Sequence, residues 1–312
     1  MKRVLLTGYK GLVGSAVARL APLHSEVLEF HFSGTRDADL THQDDVESLF
    51  NRVRPHYVIH TAAKVGGIGG NMIGHADYFL QNIKMNANVI NCCYGYNVEK
   101  LLAFSSVCVF PDNLQILTED KMHDGPPFSG NFAYAHAKRM VDVHIQALKS
   151  QHGIKNFCSI IPSNIIGTHD LYNLEHGHVL PSLIHKIYLA KKNKTDLTVW
   201  GDGKSLREFI SSDDVAEILL RLLIEKDEIP DRLIVAGDCQ YSIREMVKFL
   251  VDASDFKGNI VYDESKPNGQ RHRQSDISRL MNLFPEFKHT PVWETVEESY
   301  KWFENNYPNV RL

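Results

Sequence analysis

The chain of 312 residues has few cysteines and no long apolar run. Its five cysteines are a small and odd number, which argues against a disulfide framework and favours a reducing compartment. No stretch approaches the ~20 apolar residues that a membrane helix needs. The basic start resembles the first part of a signal peptide, but Thr7 and Gly8 interrupt the apolar residues that follow it. We therefore expect a cytosolic (cytoplasmic) protein with no membrane partner.

The chain also lacks a strong excess of charge of either sign. Its 34 basic and 38 acidic side chains give a formal net charge of -4, so a nucleic-acid partner is not indicated. Hydrophobic residues make up 43% and charged residues 23% of the chain, as in ordinary globular proteins. The length corresponds to about two domains at ~150 residues each. We predict no metal site.

Short apolar segments alternate with segments of helical periodicity in the first half of the chain. Such alternation is typical of a parallel sheet covered by helices on both faces. The sequence therefore predicts an α/β fold, a doubly wound parallel sheet with a smaller α/β C-terminal lobe. The predicted strands are 3–6, 27–32, 57–60, 101–105 and 157–161, and the predicted helices are 12–20, 44–53, 76–96 and 134–150.

The pattern is looser after Pro162, where shorter segments predict the second lobe. Ser212 or Asp213 is the expected N-cap of one helix, and Ser242 with Glu245 forms a capping box that opens another. We assign 1–165 and roughly 205–240 to the sheet domain, and 166–204 and 241–312 to the smaller one. Further helices are predicted at 181–192, 215–224 and 296–307, and strands at 197–200, 232–235 and 260–262.

A glycine-rich turn joins the first strand to the first helix, with the pattern G-x-x-G-x-x-G. Gly8 permits a tight turn, Gly11 lets a pyrophosphate approach the backbone, and Gly14 lets the helix pack closely on the strand. The positive helix N-terminus then faces the phosphates. We predict a dinucleotide site in a Rossmann-like fold, although a plain glycine-rich turn is the alternative. The residues between these glycines join the predicted site: Tyr9, Lys10, Leu12 and Val13.

The choice between NAD and NADP depends on the residues around the second strand. Glu29 stands near the spacing at which an acidic residue binds the ribose 2′-hydroxyl of NAD. Lys10 and Arg36 are cations that suit a 2′-phosphate, so we favour NADP(H), although both could be solvated surface charges. The dipeptide Asp39-Leu40 is expected at a strand end near the adenine.

Tyr134 and Lys138 form the pattern Y-x-x-x-K, which places both side chains on one face of a helix. An ammonium near a phenol favours the phenolate and lowers a pKa of about 10, so we expect Tyr134 to exchange protons beside a nicotinamide. Ser106 follows a predicted strand and is expected to donate a hydrogen bond to the reacting carbonyl. Ser105 should point the other way.

The glycine turn, the Y-x-x-x-K pattern and Ser106 after a strand together resemble the extended short-chain dehydrogenase/reductase family. This family works on nucleotide sugars. Dehydratases of that family carry an Asp-Glu pair after the serine or threonine, where this chain has Val107 and Cys108. Water elimination is therefore not implied, and simple 4-epimerases need no extra acid or base here. Closer similarity, over 4–303, is to the family's GDP-sugar epimerase/reductases, in the segments 62–68, 162–170, 177–181, 199–203 and 207–209.

The resemblance implies an NADPH-dependent enzyme that converts GDP-4-keto-6-deoxy-D-mannose to GDP-L-fucose, a small-molecule GDP-sugar substrate. Cys108 and His178 match the family's acid/base pair for inversion at C3 and C5, and Tyr134 would supply the proton when hydride reaches C4. Cysteine and histidine titrate near neutrality, at about 8.5 and about 6.5. The alternatives are a small buried side chain for Cys108 and a surface-loop residue for His178. Cys92, Cys93, Cys158 and Cys239 are expected to be structural thiols.

The resemblance also assigns binding residues and a homodimer in which helices 76–96 and 134–150 pack against a partner. Arg207 suits a pyrophosphate. Lys186 replaces an arginine of bacterial members, and Asn268 departs from a family Lys-Pro-Asp-Gly pattern. The implied cofactor contacts are Ala62, Ala63, Lys64, Pro162, Asn164 and Ile165, with 64–68 on the nicotinamide side, and the implied substrate contacts are Lys186, Trp200, Arg207 and Arg273.

Other functions stay open at this point. A related reductase would make GDP-rhamnose or GDP-6-deoxy-talose, and a nucleotide-sugar 4-epimerase is a further possibility. A pure 4-reductase should not need both Cys108 and His178. A catalytically silent NADP-sensing or scaffold protein usually loses the tyrosine or the lysine, whereas Tyr134 and Lys138 are both present.

Overall fold

The computed structural model describes residues 1–67, 74–266 and 273–312. The predicted α/β fold is confirmed, and its strands run from the start of the chain to the last third. They are β1 (Lys2–Thr7), β2 (Leu28–Ser33), β3 (Tyr57–His60), β4 (Lys100–Phe104), β5 (Ile116–Leu117), β6 (Phe157–Pro162), β7 (Asn164–Ile166), β8 (Leu197–Trp200), β9 (Leu206–Ser211), β10 (Arg232–Val235), β11 (Gln240–Ser242), β12 (Ile260–Asp263) and β13 (Gln274–Ser275).

Six of these strands form the central sheet in the order β10-β6-β4-β3-β1-β2. Every neighbouring pair in it is parallel, and the chain reverses direction across the sheet between β1 and β3. In doubly wound sheets a crevice opens outside the carboxyl ends of the strands at such a reversal. The ends of β1 and β3 are therefore the expected position of a ligand.

Helices cover both faces of the sheet and build the second lobe. The sheet helices begin close to the predicted positions, because their apolar side chains recur at helical spacing. The helices are α1 (Leu12–Leu20), α2 (Gln43–Val53), α3 (His75–Gly95), α4 (Phe132–His152), α5 (Val179–Asn193), α6 (Ser212–Ile224), α7 (Ile243–Ser254), α8 (Ser278–Leu283) and α9 (Val292–Asn306).

Alternate residues of each central strand pack into different cores. Val4 and Leu6 of β1 lie in a core with α1 and α6, whereas Leu5 between them lies in a core with α2, α3 and α4. All three side chains are fully buried, and each contributes about 1.5–3 kcal/mol relative to an exposed position. The central strand is therefore apolar throughout, as the first half of the sequence predicted.

The second lobe has a core of its own, in which Ile184 of α5, Leu250 of α7 and Tyr300 of α9 are fully buried. Two small sheets support it: β8 pairs with β12 in parallel, and β9 pairs with β7 in parallel and with β11 antiparallel. The capping box of Ser242 and Glu245 is confirmed at the start of α7. The proposed domain boundaries stay a prediction.

Several local predictions are wrong. Ser211, rather than Ser212 or Asp213, is the N-cap of α6, because its backbone is extended (φ -63°, ψ 140°) and its hydroxyl accepts from the Asp213 amide. Helix α9 begins at Val292, four residues earlier than expected. Asp39 and Leu40 lie in the loop between β2 and α2 rather than at a strand end. Cys239 is exposed, whereas the other three cysteines expected to be structural are buried: Cys92, Cys93 and Cys158.

Within residues 1–67, 74–266 and 273–312, every helix is too short or too polar to cross a lipid bilayer.

Candidate active site

A cavity of about 1200 Å³ lies where the central sheet meets the second lobe. This volume exceeds the ~1,000 Å³ that ligand pockets commonly reach, so the cavity can hold a large ligand. Most of the residues predicted from the sequence line it: Gly8, Lys10, Gly11, Leu12, Val13, Gly14, Asp39, Leu40, Ala62, Ala63, Ser106, Cys108, Tyr134, Lys138, Pro162, Asn164, Ile165, His178, Lys186, Trp200 and Arg207.

Four predicted residues stand apart from the described lining of this cavity. Tyr9 packs its ring against Phe32, with centroids 5.9 Å apart. The ammonium of Lys64 lies 3.9 Å from Asp77 instead. The other two are Arg36 and Arg273. The expected contacts at 68 and at 267–272, including Asn268, fall outside the described residues.

The glycine turn has the geometry that a dinucleotide phosphate requires. Gly8 adopts a φ of +74°, and a Cβ on Gly14 would come within 2.3 Å of the Gly8 carbonyl oxygen. Side chains at these positions would therefore break the turn. Helix α1 starts directly after Gly11, and its first residues, Leu12 and Val13, are uncharged. The positive helix end thus faces the cavity, and the site fits a pyrophosphate.

The residues after β2 form the adjoining end of the site. Arg36 is exposed and lines a shallow depression together with Thr35 and Asp39, and Thr35 and Asp39 also line the main cavity. The carboxylate of Glu29 lies 2.9 Å from the His31 ring on β2. Asp37, Asp39 and Asp45 line the same depression, so this end of the site holds one cation among acidic side chains.

Helix α4 is fastened to the end of β4 by two buried hydrogen bonds. The Lys138 ammonium donates to the Phe104 carbonyl oxygen at 2.9 Å, and the Ser105 hydroxyl donates to the Lys138 carbonyl oxygen at 3.1 Å. Ser106, the next residue, lines the cavity beside Tyr134. The strand end and the helix therefore hold Ser106, Tyr134 and Lys138 in one place.

The expected lowering of the Tyr134 pKa is wrong in this structure. Burial raises the pKa of the Tyr134 phenol, and negative charge on Cys108 would raise it further. Burial also lowers the pKa of Lys138 to about 7, so its charge is weakened near neutrality. Loss of water is the largest cause of both shifts, so burial decides the pKa values of this pair.

Cys108 lies in the short 3-10 turn Val107–Val109 that follows β4. Its thiol is half-buried, and its amide donates to the Ser106 hydroxyl at 3.2 Å. The guanidinium of buried Arg139 donates to the Val109 carbonyl oxygen at 3.0 Å, from the helix turn that carries Lys138. The thiol is therefore held at the cavity wall next to Ser106 and the Tyr134 ring.

His178 is the residue before α5, where its ring is exposed to the cavity. Buried Asp170 is its partner: burial raises the pKa of the Asp170 carboxyl, and positive charge on His178 opposes that rise. The Asp170 carboxylate also accepts the Leu171 amide at 2.7 Å. The His178 ring therefore faces the cavity beside a buried carboxyl group.

The lobe supplies cations at the other end of the cavity. The Lys186 ammonium lies 4.5 Å from the centre of the Trp200 ring, and Lys266 approaches the same ring at 5.7 Å. Burial lowers the pKa of Lys186 and of Arg207. Arg273 lies beside the Cys108 segment, with its guanidinium 3.4 Å from the Pro111 carbonyl oxygen. This end of the cavity is therefore suited to an anionic ligand.

A buried polar chain underlies the cavity floor and was missed from the sequence. His60 bonds to the Thr7 hydroxyl at 2.7 Å and to the Asn86 side-chain oxygen at 3.1 Å. Burial, together with the charge of Lys138, lowers the pKa of His60 to about 3, so the ring is neutral. A histidine at the end of a buried strand was the available signal.

Three further residues at the site were missed: Arg139, Asp170 and Arg311, the first beside Cys108 and the other two in the cavity lining. Asp170 stands inside one of the segments that resembled the GDP-sugar enzymes, and Arg139 directly follows Lys138. Arg311 gives no comparable signal, because its partners are about 140 and 300 residues away.

Known proteins resemble this chain over its whole length. Residues 4–237 match the NAD dependent epimerase/dehydratase family. The chain is 39% identical to the GDP-L-fucose synthase of Dictyostelium discoideum, over 99% of this chain and 98% of that protein. It is 35% identical to the probable GDP-L-fucose synthase of Drosophila melanogaster, over 100% of both chains.

A solved structure agrees with these sequence matches. It is a GDP-L-fucose synthetase from Naegleria fowleri bound to NADP, with a TM-score of 0.92 and 38% identity. The match covers 100% of this chain and 95% of that structure. The chain therefore belongs to the NAD dependent epimerase/dehydratase family and, within it, to the GDP-L-fucose synthases.

Proposed function

We propose that this protein is a cytosolic, NADPH-dependent enzyme that converts GDP-4-keto-6-deoxy-D-mannose to GDP-L-fucose. The observation that carries the proposal is the placement of Cys108, His178 and Tyr134 around one cavity that begins at the glycine turn. The NADP-bound relative supports the cofactor, and the relatives' names support the substrate. Residues 1–165 and roughly 205–240 hold the dinucleotide, and 166–204 and 241–312 hold the GDP-sugar.

Cys108 and His178 carry out the epimerisations. The 4-keto group of the substrate acidifies the protons at C3 and C5, so a base can remove each of them to give an enolate. Inversion requires that a proton returns from the opposite face. A thiol and an imidazole can each take up and release a proton, so this pair can perform both tasks.

Ser106 and Tyr134 carry out the proton step of the reduction at C4. Bound NADPH supplies the hydride. The Ser106 hydroxyl donates a hydrogen bond to the C4 oxygen, and the Tyr134 phenol gives its proton to the alkoxide that forms there. The raised pKa of Tyr134 suits this direction, because the phenol keeps its proton until the alkoxide needs it. Lys138 holds the backbone of β4 in place through Phe104.

The direct test incubates the protein with GDP-4-keto-6-deoxy-D-mannose and NADPH and separates the sugar nucleotides. NADPH-dependent formation of GDP-L-fucose is expected. Formation of GDP-rhamnose or GDP-6-deoxy-talose would instead identify a 4-reductase that does not epimerise. A silent dinucleotide-binding protein would leave the NADPH absorbance unchanged with substrate present.

The assigned acid/base pair has its own test in Cys108→Ser and His178→Gln. Both variants should slow solvent-deuterium incorporation at C3 or C5 while they keep the wild-type affinity for NADPH. Unchanged deuterium incorporation in both variants would refute the assigned roles. The matched control is Cys239→Ser, which changes an exposed thiol that is separate from the described cavity lining.

We also propose that the protein is a homodimer that pairs through α3 and α4. These two helices pack against each other on one face of the sheet and carry exposed apolar side chains, including Phe79 and Val143. An apolar surface of this kind is stabilised when a second copy covers it.

A further inference from the structure

The segment that follows helix α9 returns to the glycine turn. A terminal nitrogen of the Arg311 guanidinium (Nη1) lies 3.9 Å from the position that a Cβ on Gly11 would occupy. The same side chain lines the cavity together with Lys10 and Gly11. A second-lobe segment thus brings a cation to the turn that closes over the dinucleotide phosphates.

Hydrogen bonds hold Arg311 in this position. The amide of buried Tyr172 donates to the Arg311 carbonyl oxygen at 2.8 Å, and Arg311 Nη1 donates to the His169 carbonyl oxygen at 3.2 Å. Val310 packs against the core of the second lobe. The backbone and the head of the side chain are therefore both anchored, so little further ordering is needed when an anion binds.

We propose that Arg311 binds the pyrophosphate of the dinucleotide, an inference that rests on the proposed NADP binding. Gly11 is the position at which this type of turn approaches a pyrophosphate most closely. A guanidinium has five N–H donors, so its hydrogen bond to His169 is compatible with further bonds to phosphate oxygens. Arg311 lies beside Gly11 in the turn, whereas Arg36 lines the separate depression after β2.

The alternative is a purely structural role, in which Arg311 only satisfies the His169 carbonyl and balances the buried charge of Asp170. The Arg311 charge does oppose the burial-raised pKa of that carboxyl. A structural role predicts that loss of Arg311 lowers the stability of the protein but leaves its affinity for dinucleotides unchanged. A phosphate-binding role predicts weaker binding of every ligand with a pyrophosphate.

The test measures the dissociation constants of NADPH and NADH by the change in their fluorescence on binding, in the whole protein. Arg311→Ala should weaken both ligands about tenfold and by the same factor, since both carry the pyrophosphate and a charge-assisted hydrogen bond is lost. Arg311→Lys should recover part of the loss. The control Arg52→Ala, an exposed arginine of α2 outside the described cavity lining, should bind like the wild type.

The salt dependence of the NADPH affinity distinguishes a charge effect of Arg311 from a structural effect in the same assay. The affinity of Arg311→Ala for NADPH should fall less steeply with added salt, because one attractive charge is gone. If Arg311→Ala does not fold, Arg311→Gln provides the comparison, since its amide can still donate to the His169 carbonyl oxygen.

Affinities within twofold of the wild type for both ligands would overturn the inference. A loss confined to NADPH would also overturn it, since the contact would then be with the 2′-phosphate. A wild-type protein that binds neither NADPH nor NADH would refute the proposed function instead. A shared loss with the shallower salt dependence supports a pyrophosphate contact.

Discussion

The guanidinium of Arg139 donates a hydrogen bond to the carbonyl oxygen of Val109 at 3.0 Å, and both groups are buried. Val109 directly follows Cys108, and Arg139 directly follows Lys138. The helix that carries the tyrosine and lysine of the reduction step therefore also holds the turn that carries the proposed acid/base thiol. Arg139 therefore fixes the backbone next to Cys108.

Arg139→Met should slow epimerisation more than it weakens cofactor binding. The variant leaves the buried Val109 carbonyl without this partner, which costs about 1–3 kcal/mol of the free energy of unfolding and loosens the Cys108 turn. We expect solvent-deuterium incorporation to slow about tenfold while the NADPH dissociation constant stays within about twofold. Equal losses of deuterium incorporation and NADPH affinity would contradict a role centred on Cys108.

The control for this prediction is Lys149→Ala on the same helix. Lys149 pairs with Asp231 at 2.5 Å, but both side chains are substantially exposed. Exposed ion pairs contribute about 0–1 kcal/mol, so this variant should keep both the stability and the deuterium exchange of the wild type.

Gly67 supports the segment that leads to His178. Its amide donates to the His176 carbonyl oxygen at 2.7 Å, and an added Cβ would lie 2.3 Å from the Gly177 carbonyl oxygen. Gly67→Ala should therefore displace this backbone and lower the rate of epimerisation, measured as deuterium incorporation at C3 and C5. Gly95→Ala is the control, because its Cβ meets no atom of the described residues within 4 Å. Similar rates in the two variants would contradict the proposed support.

The sheet and its helices were predictable because their signals are local. The buried strand Lys2–Thr7 contains a continuous apolar run from Val4 to Leu6, and helices such as Leu12–Leu20 repeat apolar side chains at helical spacing. The N-cap of α6 was not predictable from the sequence. Ser211 and Ser212 carry the same hydroxyl group, and only the backbone torsions decide between them.

The sequence was enough to predict which residues form the site, but not how their pKa values shift. Tyr134 and Lys138 share a helix face, which the spacing of four residues fixes. Their pKa shifts follow from burial by distant segments, and that information is absent from a four-residue pattern. The contacts of Arg139 and Arg311 likewise join residues 30 and 142 positions apart.

Arg36 should favour NADPH over NADH. It lines the depression next to the cavity end formed by Thr35 and Asp39, where a 2′-phosphate would lie if the adenosine extends past β2. Arg36→Ala should weaken NADPH about fivefold, as expected for an exposed charge-assisted contact, and leave NADH unchanged. Glu29→Gln is the matched control: its carboxylate faces His31, so neither affinity should change. Weaker binding of NADH in Glu29→Gln would indicate a ribose contact instead.

The dimer interface should be broken by charge on the exposed faces of α3 and α4. Phe79 is 40% and Val143 is 41% exposed in the single chain. The double variant Phe79→Asp and Val143→Asp buries two carboxylates if the helices pair, so its sedimentation coefficient should fall to that of a monomer. Leu23→Asp alters a side chain that is 76% exposed elsewhere and should leave the sedimentation unchanged. A double variant that sediments like the wild type would exclude this interface.

Lys138 makes the stability of the protein depend on pH. Its pKa in the folded chain is about 7, below about 10.4 in the unfolded chain. Between these two values the unfolded chain binds more protons, so the free energy of unfolding should rise with pH from about 7 to about 10. Charged Lys138 thus destabilises the fold by up to a few kcal/mol below about pH 7.

Lys138→Met should remove this contribution. The variant loses the hydrogen bond to the Phe104 carbonyl at every pH, so its absolute stability is not diagnostic. The diagnostic quantity is the difference in the free energy of unfolding between the wild type and Lys138→Met. Urea denaturation should show that the wild type gains stability relative to the variant as the pH rises from about 7 to about 10. Lys149→Met replaces an exposed lysine of the same helix and should retain the wild-type pH dependence. If the stability curves of wild type and Lys138→Met run parallel across this range, Lys138 is not the buried group whose pKa is lowered.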